Sequence, residues 1–245
     1  MQNILLCLHG WGGSKESFTE LRTALQGSDI KLLTPDLPGF GDTPDPKTPL
    51  SVNDYANWVE QYLVDQLGDT EYKLSLLGHS HGGRISIVLA NRPKDSRFNA
   101  PVHLYLCASA GIRHPRHFKR ILGLTLAKTG KVLLSIPGLS KLQPLGKKFL
   151  YKLVRVHDYE TASPVMQQTL AKASAENLRP LLSKITTPTD IFWGTDDTMT
   201  PYSDGQTMDK EIPNSTLHTF KGVRHRVHRD RAREIAAEIQ KTINL

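Results

Sequence analysis

Short apolar runs alternate along the chain with segments whose apolar residues recur every three or four positions. The runs at 4–9, 31–34, 72–77, 102–107, 189–193 and 215–219 predict six strands. Most are apolar at nearly every position, the pattern of strands covered on both faces. Helical spacing marks 16–26, with Phe18, Leu21, Arg22 and Leu25 in step, and 84–91, which stops before Pro93. The plainest helix is 52–67. Val52, Tyr55, Ala56, Val59, Leu63 and Leu67 keep one face, Ser51 caps it and Gly68 stops it. A closing helix is predicted at 230–243. Strands alternating with helices imply an α/β fold built on a mostly parallel sheet of about six strands.

The rhythm breaks between 112 and 179. This stretch has no strand-like alternation, only Leu- and Lys-rich helical pieces punctuated by Pro115, Pro137, Pro144 and Pro164. It is expected to form a helical cap inserted into a core made of 1–111 and 180–245.

Composition narrows the class. A chain of 245 residues suits one large domain, or one domain with an insertion, and is long enough for a sizeable core. With 22% charged and 38% hydrophobic residues it is not a disordered chain. No apolar run approaches the roughly 18 residues of a membrane span. The first residues lack the basic segment and the length of a signal peptide. Cys7 and Cys107 each sit inside an apolar run and read as reduced core thiols, so a cytoplasmic location is expected. The net charge of +7 is unevenly spread. Residues 111–180 hold 13 Lys and Arg against three acids, Asp158, Glu160 and Glu176, a net +10 that leaves −3 for the rest. A basic cap over a site mouth suggests an anionic substrate or weak contact with an anionic membrane; a solvated basic face is the plainer alternative. The cap is poor in the exposed aromatics that a single-strand nucleic-acid binder uses, so no nucleic-acid partner is expected.

The strongest chemical signal is Gly78-His79-Ser80-His81-Gly82-Gly83, a G-x-S-x-G pattern between a predicted strand and a predicted helix. A serine on such a turn is exposed and pressed close to backbone on both sides, which glycine alone permits at the flanking positions. A nucleophilic serine needs a base, and the base an orienting carboxylate. Loops after the fifth and sixth strands offer Trp193-Gly194-Thr195-Asp196-Asp197 and Arg224-His225-Arg226-Val227-His228. Both follow strand C-terminal ends, where an open α/β sheet places its site.

These residues, with His9-Gly10-Trp11-Gly12 and Asp36-Leu37-Pro38-Gly39-Phe40-Gly41, make the chain similar to the α/β-hydrolase superfamily, in its small lidded esterase-like branch. The resemblance covers nearly everything outside 112–179. It implies a catalytic Ser80, an acid at Asp197 with Asp196 as the alternative, and a base at His225 with His228 as the competitor. It places an oxyanion hole at the backbone N–H groups of Trp11 and His81. Arg224 stands where the family usually has glycine. The family's usual leading antiparallel strand pair is missing, so a minimal sheet or an upstream start is expected, with the 31–34 strand at an edge; the chain is expected to be a monomer, or a homodimer paired through that edge. Serine at position 80 disfavours the aspartate-nucleophile branches. What remains is a carboxylic-ester hydrolase, with lactones, thioesters or C–C bonds as variant targets and no cofactor needed. A cofactor-free acyltransferase or perhydrolase and a receptor-like ligand binder are the alternatives.

Other features invite different readings. His79-x-His81 suggests a metal pair, but the side chains on a sharp turn diverge and no third ligand accompanies them. His79 is expected to pack beneath the turn. His81 faces either substrate or solvent. Asp36 is expected to fix its own loop, and Met166 and Leu170 to line an acyl pocket or a plain helical core.

Overall fold

A computed structural model describes residues 1–93, 100–114 and 162–243. The elements are β1 (Gln2–Leu8), a 3-10 turn (Lys15–Phe18), α1 (Thr19–Ala24), β2 (Ile30–Leu33), α2 (Val52–Leu67), β3 (Tyr72–His79), α3 (His81–Ala90) and β4 (His103–Cys107). They continue with α4 (Pro164–Ala175), α5 (Arg179–Leu182), β5 (Thr189–Gly194), α6 (Tyr202–Glu211), β6 (Ser215–Phe220), α7 (Val227–Asp230) and α8 (Ala232–Ile243). The chain divides into two compact units, Met1–Arg113 with Gln168–Leu245, and His114–Gln167. Most of the expected cap, with the basic residues from Arg116 to Arg155 and the acids Asp158 and Glu160, lies outside the described residues.

The sheet is six-stranded in the order β2-β1-β3-β4-β5-β6, and every pairing is parallel rather than mostly so. Its central strands are buried at successive positions: Ile4 to Leu8 on β1 are fully buried, as are Leu76 and Leu77 on β3 and Leu104 to Cys107 on β4. Continuous burial requires helices on both faces. α1, α7 and α8 pack together, while α2 packs on α3, and α5 joins α3 to α6. β2 is an edge strand, as expected.

Local chemistry sets the element ends. α2 opens with a capping box in which Ser51 Oγ accepts from Asp54 N at 3.1 Å and Asp54 Oδ2 accepts from Ser51 N at 2.7 Å. All six residues of its predicted stripe are buried, and Gly68 closes it at φ 50°. α8 buries Ala232, Ile235, Ala236 and Ile239. Two differences from the sequence reading matter. α3 starts at His81, not at 84, and α6 is a helix that apolar spacing did not announce.

Topology fixes where loops meet. The chain steps from β1 out to the edge at β2, then returns past β1 to β3. The C-terminal ends of the neighbours β1 and β3 therefore open a crevice between loops that leave in opposite directions. Leu8 pairs with Gly78, so the loop at Gly10–Gly13 and the turn at Ser80 face each other across it.

Candidate active site

Ser80 is one of two described non-glycine residues with positive φ, at φ 53° and ψ −109°. Such a backbone costs about 1–3 kcal/mol and persists only where packing enforces it. The enforcement is visible in the flanking glycines. A Cβ on Gly82 would lie 1.9 Å from Leu8 O, one on Gly78 2.6 Å from Gly82 O, and one on Gly83 2.1 Å from Ser109 Oγ. Ser80 N donates to Cys107 O, and Ser80 O accepts from the N–H groups of Gly83 and Ala110. The turn is thus pinned to β1 and β4 as well as to its own helix.

Gly82→Ala is expected to destabilise the fold by about 3 kcal/mol or more, because the obstruction is backbone of a central strand that has nowhere to move. Gly27→Ala, at φ 81° with nothing within 4 Å, carries only the left-handed conformational cost of about 1–2 kcal/mol. Denaturant midpoints of the two variants check the contrast; equal midpoints would contradict it.

The loops after β5 and β6 bring an acid and a base together. Thr195 N donates to Phe220 O and Asp196 N to Val223 O, so the two loops are zipped side by side. A Cβ on Gly194 would fall 2.1 Å from Val223 O, which gives that glycine its purpose. His225 Nδ1 lies 2.8 Å from Asp197 Oδ2. Asp197 Oδ1 accepts from the N–H groups of Met199 (2.8 Å) and Thr200 (3.1 Å). Burial pulls the Asp197 carboxyl up, but the bond and charge of His225, the Met199 N–H and the Thr200 hydroxyl outweigh it and lower its pKa. Asp197 is buried, whereas Asp196 is exposed and takes a bond from its neighbour Thr195. The geometry therefore pairs His225 with Asp197, not with Asp196.

His228 is also buried, but its ring packs against His79 at a 32° tilt with centroids 3.7 Å apart and sits against Phe18 at 5.6 Å. His79 packs beneath the turn, as expected, and its Nε2 donates to the backbone oxygen of His225 at 3.0 Å. This bond ties the end of β3 to the loop carrying His225. Among the described residues no hydrogen bond joins the Ser80 hydroxyl to the His225 ring, and the Trp11 and His81 N–H groups are likewise uncommitted. The Gly10 loop does reach the turn: a Cβ on Gly10 would come 3.2 Å from Ser80 Cβ.

His81 is not a surface residue. Its ring is buried edge-on between Trp11 (5.5 Å) and Tyr55 (4.9 Å), and Nε2 has no hydrogen-bond partner among the described residues. Asp36 fixes its loop as expected, accepting from Lys15 N at 2.6 Å and Asp42 N at 3.0 Å. Met166 is buried and Leu170 half-buried on α4; Met166 falls in the 114–167 unit and Leu170 in the other. Cys7 and Cys107 are buried free thiols.

Two features escaped the sequence reading. Thr200 Oγ1 lies 2.8 Å from Asp197 Oδ2, 3.2 Å from His225 Nδ1 and 3.1 Å from Ala108 O. A threonine three residues after an acid, just before the proline that opens α6, was the available signal. Arg84 is the second. Its Nη1 donates to Glu176 O at 3.1 Å, while Glu176 Oε1 accepts from Val52 N at 2.8 Å at the start of α2. Only long-range approach reveals that link.

A family model described as "Alpha/beta hydrolase family" matches residues 5–238. The chain is similar to "Lipase 1" of Psychrobacter immobilis, with 26% identity over 235 residues, covering 90% of this chain and 70% of that protein. Among solved structures it resembles an esterase from Exiguobacterium antarcticum (TM-score 0.73, 21% identity, 100% of this chain and 92% of that one). An enol-lactonase from Burkholderia xenovorans superposes with TM-score 0.71 at 18% identity, over 100% of this chain and 92% of that one. No helix among the described residues is long and apolar enough to cross a membrane.

Proposed function

This chain belongs to the alpha/beta hydrolase family, and from that premise we propose that it hydrolyses carboxylic esters through an acyl-enzyme on Ser80. The observation that carries the reading is the 2.8 Å bond between buried Asp197 and His225, in loops at the same sheet end as the strained Ser80 turn.

His225 takes the Ser80 proton on Nε2 as Oγ attacks the acyl carbon. Asp197 accepts from Nδ1–H, holds the ring in that tautomer and stabilises its cation. The Trp11 and His81 N–H groups take the negative charge that develops on the carbonyl oxygen. One such donor is worth about 3–4 kcal/mol of transition-state stabilisation. Collapse expels the alcohol, protonated by His225, and the same histidine then activates water to release the acid. That no hydrogen bond joins Ser80 to His225 among the described residues fits this cycle, because catalytic hydrogen bonds often tighten only around substrate. Lactones and thioesters present the same acyl carbon and fall within the proposal.

A fluorophosphonate probe tests it directly. The wild-type chain is expected to label at Ser80 and the Ser80→Ala variant to stay unlabelled while keeping its melting temperature. Equal labelling of both would overturn the assignment. A panel of aryl esters from acetate to long-chain acyl, with lactones alongside, then ranks the substrates.

A further inference from the structure

Away from Ser80, three neighbouring strands direct polar side chains at one point. Asp190, second residue of β5, is buried and accepts from His103 Nε2 at 2.8 Å on one oxygen and from His218 Nε2 at 2.6 Å on the other. His103 opens β4 and His218 lies on β6, so the carboxylate bridges both of its neighbours in the sheet. Glu238 on α8 completes the group: one ligand atom each from Asp190, His218 and Glu238 lie within 4.8 Å of one another. The Ser80 reaction uses none of these residues. Asp190 stands near the start of β5 and Asp197 beyond its end, so the strand alone separates them by about 13 Å at 3.3 Å per residue.

The geometry points to a zinc-class divalent cation site held by His218 Nε2, Asp190 Oδ1 and Glu238, with His103 holding the second oxygen of Asp190 from the outer shell. Several features of this end of the sheet suit a metal. The imidazoles are fixed by stacking, His218 on Phe192 at 4.7 Å and His103 on Tyr105 at 4.5 Å. Tyr105 is in turn hydrogen-bonded to Thr242 of α8. Parallel strands and a packed helix therefore preset the donors. Ligand bonds of about 2.0–2.2 Å place tetrahedral donors roughly 3.4 Å apart, within reach of side-chain rotation from the present spacing. Two carboxylates and one neutral imidazole balance a divalent charge. The imidazole selects zinc-like ions over calcium or magnesium, which prefer all-oxygen sets. Lys241 pairs with Glu238 Oε2 at 2.8 Å, but it is mostly exposed and leaves the other oxygen available. On binding, the metal takes the place of the His218 Nε2 proton, which passes to Nδ1, so the imidazole stays neutral. The fourth position is left to water. The carboxylate–histidine pair formed by Asp190 and His103 is the arrangement that orients a ligand and tunes its basicity.

Zinc chloride titrated by calorimetry into the EDTA-treated full chain is the test, with thermal melting alongside. The wild type is expected to bind one ion in a step that disappears in His218→Gln and Glu238→Gln, and zinc is expected to raise the melting temperature of the wild type but of neither variant. His103→Ala should weaken that step by about 10–100-fold. Should His218→Gln fail to fold, Glu238→Gln, on the half-exposed face of α8, carries the test alone. Titration of Ser80→Ala is expected to match the wild type. No binding up to 1 mM zinc, or equal affinity in the wild type and Glu238→Gln, overturns the site and shows His103–Asp190–His218 to be a structural brace.

Discussion

His225→Ala is expected to lower kcat/KM for an aryl acetate by about 10⁴-fold or more, because a serine hydrolase without its base loses nearly the whole advantage of the triad. Asp197→Asn should cost about 10⁴-fold for a different reason: the amide stabilises the wrong imidazole tautomer while leaving the packing intact. His228→Ala makes the sharpest contrast. His228 has no bond to a carboxylate among the described residues and its ring packs tilted against His79, so its removal opens space beside His79 under the Ser80 turn. It is expected to reduce stability while changing kcat/KM by less than about tenfold, a scale well below the loss of a general base. Thr200→Val tests the residue that the sequence hid. Its hydroxyl contacts Asp197, His225 and the Ala108 carbonyl at once, so the variant is expected to lower kcat with KM little changed. Steady-state kinetics with melting curves on each variant check the set. A His225→Ala enzyme that turns over near the wild-type rate would move the base to His228 and break the mechanism.

The contrast between Asp197 and Thr200 marks how far a sequence can be read. Ser80 is legible from its own motif between a strand and a helix. Asp197 and His225 stand in loops after β5 and β6, at the end where open α/β sheets put such loops, and the preference for them over Asp196 and His228 comes from the family resemblance. Their second partners are less legible. The place of Thr200, three residues after Asp197, hints at its bond to that carboxylate. Its reach to the His225 ring and Ala108, and the bond from His79 to the His225 carbonyl, depend on how distant loops meet, which no local spacing encodes. The fold shows the same division. α2 was legible from its stripe and caps, whereas α3 begins three residues before its readable part. Gly82 and Gly83 are poor helix formers, kept because larger residues would collide with Leu8 and Ser109. α6 was missed because the face it buries consists of Asp204, Gly205 and Met208 rather than an apolar stripe. Gly205 is there to admit the Trp193 ring, which a Cβ would approach to 2.9 Å. In each case the rule that failed was local propensity, and tertiary contact overrode it.

The same crowding predicts an unusual loss of stability in mild acid. His9, His79, His81 and His228 are all buried. Burial pushes each pKa down, helped at His79 and His228 by the neighbouring His225, and His81 and His228 fall to about 3. Their unfolded value is about 6.5. A folded pKa below the unfolded one gives stability that is complete above pH 6.5 and is lost as pH falls towards the folded value, since only the unfolded chain takes up the proton. At pH 5 each such histidine has cost about 2 kcal/mol, so His81 and His228 together remove about 4 kcal/mol, and His79 and His9 add to it. That is a large part of the roughly 5–15 kcal/mol holding a domain together. The lowered carboxyls, Asp197 and Asp190 among them, lose their contribution only below their unfolded value near pH 4, so the two windows separate. Urea denaturation between pH 8 and pH 5 should show the fall. His81→Leu isolates one group: it removes a titrating ring, and a buried nitrogen with no partner among the described residues, while keeping the backbone N–H beside Ser80. The variant is expected to lose about 2 kcal/mol less than the wild type over that range. Parallel pH profiles for the two proteins, or a wild type equally stable at pH 8 and pH 5, would show that the buried histidines do not set the acid limit.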